Sequence, residues 1–134
     1  MTKMSINYLG ELRTEATHLQ SGNKLITDAP KDNHGKGEAF SPTDLLATSL
    51  AACMLSIMGI NANKNNFSIE GASAEIEKIM ASNPRRVEEV KIIITMGKHN
   101  YSDEQKKMLK VAALNCPVAL SLNKELKQTV EFVW

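Results

Sequence analysis

Neither a CxxC pair nor an HxxxH pair occurs in the sequence, and its three histidines, His18, His34 and His99, lie in separate segments. That scatter argues against a structural zinc site, whose ligands ordinarily come in closely spaced pairs. An excess of one charge is also missing, since 16 Lys and Arg against 15 Asp and Glu leave a formal net charge of +1. Neither nucleic acid nor an anionic membrane is therefore expected as a partner. The N-terminal MTKMSINYLG has no apolar run and no small-residue cleavage site of a signal peptide, so a cytoplasmic location is expected. Two cysteines in such a chain are expected to be free thiols or a redox pair rather than a static bridge. No repeat or low-complexity segment is present, and 134 residues suffice for a core, so residues 1–134 are read as one domain.

What the sequence does contain is residues 41–63, SPTDLLATSLAACMLSIMGINAN, with no charge after Asp44 and Cys53 near the middle. Ser41 is a good N-cap, Pro42 fits the first helical position, and Asp44 meets the helix dipole in the first turn. Leu46, Leu50, Cys53, Ile57 and Ile60 recur at helical spacing, and the remaining faces are small or apolar. A helix of this kind needs cover on nearly every side, from a second sheet, another helix or a second subunit. Its length approaches a membrane span, but Thr48, Ser49, Ser56, Gly59 and Asn61 dilute it, and it is read as core.

Around this helix the pattern predicts strands over residues 3–9, 11–18 and 23–28, then a loop over 29–40 with Pro30, Gly35 and Gly37. A loop of that length is often functional, and His34, Lys36 and Glu38 are its chemically capable members. After the helix, residues 67–82 and 87–98 read as a hairpin around Asn83-Pro84. Ser102 with Gln105 opens a second helix, Asn115-Cys116-Pro117 interrupts it, a short helix follows to Leu122, and residues 127–134 close as a strand. The order fits an α+β fold of two antiparallel sheets enclosing helices.

Cys53 and Cys116 carry the available chemistry. They could be metal ligands, small buried hydrophobes, or a redox pair. Cys116 stands just before Pro117, as a candidate helix N-cap where unpaired N–H groups favour thiolate. In the redox reading a thiolate attacks a peroxide, becomes a sulfenic acid and is resolved by a second thiol. Such a site calls for a cation, which Arg13 could supply, although an ordinary solvated side chain on a strand is its bland alternative. It also calls for an apolar wall, for which Phe40, Met54, Ile57 and Met58 are the candidates, or else these are simply core. No cofactor or metal is called for.

The stretches LRTEATH, GKGEAFSP, SPTDLLATSLAAC and NCPVALSL together resemble the OsmC/Ohr family of osmotically inducible and organic hydroperoxide resistance proteins, over nearly the whole chain. The resemblance implies an intertwined homodimer whose two sheets wrap central helices, with Cys53 attacking an organic hydroperoxide, Cys116 resolving, and an external dithiol as reductant. It also implies an arginine–glutamate pair that activates the first thiol, with Arg13 as the arginine. Where the family often has Pro-Glu at the start of the cysteine helix, this chain has Thr43, and Asp44 points away from the thiol's face. Glu38 is then the substitute partner for Arg13. Helix position taken alone makes Cys116 the lower-pKa thiol, whereas the resemblance makes Cys53 the attacker. The alternative function is an OsmC-like stress or small-ligand-binding dimer without efficient peroxidase activity.

Overall fold

The computed structural model describes every residue from Met1 to Trp134, and the chain forms two compact units, Met1–Leu46 and Ala47–Trp134. In the first, β1 (Met4–Gly10), β2 (Arg13–His18) and β3 (Lys24–Asp28) form an antiparallel sheet in that order. These are the three segments that alternation predicts. Glu11 and Leu12 make the β1–β2 turn, both at positive φ (52° and 63°), a geometry that glycine or asparagine usually supplies.

Register divides this sheet into two unlike faces. Met4, Ile6 and Tyr8 stand opposite His18, Ala16 and Thr14, and the last two stand opposite Leu25 and Thr27, so all share one face. The reverse face carries Arg13, Glu15, Lys24 and Asp28, with Lys24 Nζ 2.9 Å from Glu15 Oε1. It is the apolar face that stays open: Met4, Ile6 and Tyr8 keep 67%, 66% and 65% exposure.

Residues 29–40 are more ordered than a featureless loop. A 3-10 turn spans Lys31–Asn33, and the N–H groups of Asn33 and Gly35 both donate to the Pro30 carbonyl at 2.9 Å. The Ala29 N–H donates to the Leu12 carbonyl at 3.0 Å, and the Gly37 N–H to the Ala29 carbonyl at 3.2 Å. A Cβ on Gly35 would lie 1.8 Å from the Ala29 oxygen, so only glycine permits this wrap.

Helix α1 (Pro42–Lys64) begins with a reciprocal cap. Ser41 Oγ accepts the Asp44 N–H at 3.1 Å and Asp44 Oδ2 accepts the Ser41 N–H at 3.0 Å. Its first turn is counted with the first unit and the rest with the second. By length and composition α1 could cross a membrane, but Leu50, Met54 and Met58 are fully buried in a core with Val90, Ile92 and Leu109. The buried face differs from the expected one. Ala47, Leu50, Ala51, Met54, Met58 and Ala62 are buried, Leu46, Cys53 and Ile57 are half-buried, and Ile60 is exposed. A helix apolar on all sides offers no periodicity from which to choose a face. Ala52, Ser56 and Ile60 remain open, so within one chain the cover is not all round.

The second sheet has the order β4-β5-β6, with β4 (Ser73–Ala81) antiparallel to β5 (Arg86–Thr95). A cis peptide bond joins Asn83 to Pro84 in their turn. β4 starts at Ser73 rather than residue 67, because Gly71, at φ 90°, ends a turn in which the Ala72 N–H bonds the Ile69 carbonyl. β6 (Lys127–Val133) departs from the expected antiparallel arrangement and runs parallel to β5. Its connection contains α2 (Asp103–Leu114) and α3 (Pro117–Ser121), a crossover long enough to return the chain to the same end of the sheet. The predicted capping box on α2 is present, with the Gln105 N–H on Ser102 Oγ at 3.1 Å and the Ser102 N–H on Gln105 Oε1 at 2.9 Å.

Candidate functional site

The two cysteines meet inside the second unit. α1 presents Cys53 half-buried beside the buried Met54, and Cys116 sits fully buried at the N-cap of α3; both are free thiols. Pro117 fixes the second position by stopping α2 and starting α3 in its preferred first-turn place. Cys116 Sγ accepts the Ala119 N–H at 3.4 Å, and Cys53 packs against the core cluster that contains Cys116, near enough to act on its thiol. Burial pushes the Cys116 thiol up from its ordinary range; the Ala119 N–H opposes this, and the neighbouring Cys53 adds to it. The helix end does not make the Cys116 thiol more acidic than an ordinary one, because desolvation outweighs it.

Of the proposed apolar wall, Met54 and Met58 are closed into the core. Ile57, one turn beyond Cys53, lines an open groove of about 710 Å³ with Asn61, Met108, Val111, Ala112 and Asn115 among its other walls. Phe40 belongs to the first unit and is half-exposed, its carbonyl accepting the Asp28 N–H at 3.1 Å. No group of three or more His, Cys, Asp and Glu side chains gathers as a metal-binding cluster.

The first unit holds the other pair. Arg13 and Glu38 are in contact, Nη2 to Oε2, at 3.2 Å. A stronger partner was not legible beforehand. Asp28 takes the guanidinium two-pronged, Arg13 Nε to Oδ1 at 2.7 Å and Nη2 to Oδ2 at 2.8 Å, and Oδ2 also accepts the Glu38 N–H at 3.2 Å. Antiparallel register puts Arg13 directly opposite Asp28. An aspartate followed by Ala-Pro reads as a turn residue, so only a fixed β2–β3 register could have singled it out. The hydrogen bonds that Arg13 donates to Asp28, then to Glu38, hold it charged above its ordinary range, and Arg13 keeps the Asp28 carboxyl below the usual carboxylate range against the opposing effect of burial.

A neighbouring ion pair, Lys36 Nζ to Glu11 Oε2 at 2.8 Å, ties the 29–40 segment to the β1–β2 turn, lowering the Glu11 carboxyl and raising the Lys36 ammonium. His34, at φ 66°, ends the 3-10 turn and is exposed. Thr43 has its Oγ1 3.2 Å from Ser41 Oγ, while Asp44 serves the helix cap.

The model of the family described as OsmC-like protein matches residues 35–131. A crystal structure from Psychrobacter arcticus, provisionally described as an osmotic stress induced and detoxification response protein, is 54% identical, with 98% of this chain and 96% of that one covered and a TM-score of 0.94. An organic hydroperoxide resistance protein from Legionella pneumophila has the same fold at 20% identity, TM-score 0.79, with 100% and 97% covered. Another from Bacillus subtilis does so at 16% identity, TM-score 0.67, with 98% and 97% covered. Among curated proteins no sequence matches the chain.

Proposed function

The chain belongs to the family of OsmC-like proteins, and from that premise we propose that it is a thiol-dependent peroxidase acting on organic hydroperoxides. The observation that carries this reading is the placing of two free thiols from separate helices, Cys53 half-buried and Cys116 buried, beside one another in one core cluster. The Cys53 thiolate attacks the terminal oxygen of the hydroperoxide, the O–O bond breaks, and the alkoxide leaves as an alcohol after taking a proton. Cys53 is then a sulfenic acid. Cys116 attacks its sulfur, giving up its thiol proton to the departing hydroxide, so that one disulfide and one water form. An external dithiol restores both thiols by exchange.

A Cys116 pushed up by burial suits the resolving role, because it stays protonated while Cys53 reacts. We assign the cation that favours the Cys53 thiolate to Arg13, and its carboxylate partner to Glu38. The proposal includes a cytoplasmic homodimer. The uncovered apolar face of Met4, Ile6 and Tyr8 supports the assembly, since single-chain exposure of that kind marks a contact surface.

A second reading, a stress-response dimer that binds a small ligand without efficient turnover, draws on Thr43 standing where the family's glutamate often does. Stopped-flow consumption of cumene hydroperoxide by the reduced protein, with mass spectrometry of the product, separates the two. Rapid loss with a Cys53–Cys116 disulfide is the expected result, and Cys53→Ser abolishes it. No reaction with both thiols intact would leave the binding reading.

A further inference from the structure

We propose that Asp28, rather than Glu38, is the positioning residue that fixes the Arg13 guanidinium, with Glu38 an exchangeable second partner. The proposal rests on the peroxidase reading in that Arg13 is the cation of the reaction. Its grounds are geometric. Asp28 engages Nε and Nη2 along one edge of the guanidinium at 2.7 and 2.8 Å, the two-pronged form that sets orientation as well as attraction. Glu38 supplies one contact, at 3.2 Å, to an Nη2 already bonded.

Burial separates the two carboxylates further. The Asp28 side chain has 0% exposure, Arg13 29% and Glu38 68%. A carboxylate held out of water depends on its cation and cannot swing away, whereas an exposed glutamate has water as an alternative partner. The backbone reinforces the difference: Arg13 and Asp28 are direct cross-strand neighbours, while Glu38 approaches from the 29–40 segment, whose own N–H donates back to Asp28 at 3.2 Å. Nη1 makes no hydrogen bond, so Asp28 holds the guanidinium by one edge and leaves donors on the other for an anion.

The test follows the Arg13 Nε–H resonance in 15N spectra of the reduced protein, assigned by its absence in Arg13→Lys. Asp28→Asn is expected to speed its solvent exchange at least tenfold, and Glu38→Gln to change it less than twofold. Equal loss in both variants, or protection kept in Asp28→Asn, overturns the proposal. Should Asp28→Asn fail to fold, Glu38→Gln decides alone: a retained signal supports Asp28 as the anchor and a lost one overturns it. In the folded variant, hydroperoxide consumption is expected to fall at least tenfold, more than in Glu38→Gln, with the pH profile of Cys53 alkylation moved upward. A mobile Arg13 with unchanged rate and profile would overturn the positioning role. If the wild-type protein consumes no hydroperoxide, the peroxidase reading fails, and the resonance still decides whether Asp28 is the anchor.

Discussion

Along β5, Val90, Ile92 and Ile94 are fully buried while Lys91, Ile93 and Thr95 face out, whereas the first sheet buries Thr27 and Asp28 and turns Met4, Ile6 and Tyr8 outward. The second unit is organised by apolar area removed from water. The first is organised by directed polar contacts, the Arg13–Asp28 pair above all. The contrast shows where each kind of chemistry can be housed. A thiol whose proton must be retained suits a dry apolar setting, and a cation that must stay charged suits a site with its carboxylates built in.

Core truncation is the largest expected way to break this contrast. Leu50→Ala or Met58→Ala should cost about 2–5 kcal/mol in chemical denaturation, as buried large-to-small changes do. A loss below about 1 kcal/mol would show that the second unit is not held by its apolar core.

Ile6→Asp tests the open face. If the proposed dimer forms through this strip, the variant should sediment as a monomer where the wild-type protein sediments as a dimer; an unchanged mass would mean that the strip is not the interface.

pH should separate the two units next. The Asp28 carboxyl is depressed in the fold, so its contribution is present above the ordinary carboxylate range and lost as pH falls through the depressed value. Amide protection in β2 and β3 should therefore fall in acid, and Asp28→Asn should remove that dependence. Cys116 is raised, so its contribution is complete below the unfolded thiol pKa and is lost as pH rises through the folded one. The denaturation midpoint should fall above the ordinary thiol range, and not in Cys116→Ser. The smallest effect is expected at the β1–β2 turn, where Leu12→Gly relieves a left-handed residue and should add about 0.5–1 kcal/mol.

Legibility in the sequence followed the same division. The strands, the caps at Ser41 and Ser102 and the break at Cys116-Pro117 were readable because each is decided by residues a few positions apart. The buried face of α1 was not, since its apolar residues surround the helix, and the parallel β6 was not, since direction depends on a crossover rather than on the strand's own pattern. At the candidate site, Arg13 with Glu38 could be guessed from chemistry and reach. Asp28 could not, because its role exists only through pairing with a strand fifteen residues earlier.

That pairing also constrains how the gene can change. Residues 19–23 connect β2 to β3, and Arg13 meets Asp28 because both side chains project from the same face of the sheet. Adding or removing connecting residues can be absorbed by the turn with the facing kept. A single-residue slip of one strand past the other sends every side chain of that strand to the opposite face, and the guanidinium would lose its carboxylate while each strand remained intact. Surviving length variants in this turn should therefore be those that keep the β2–β3 register, whatever their loop length, the trace of one ion pair.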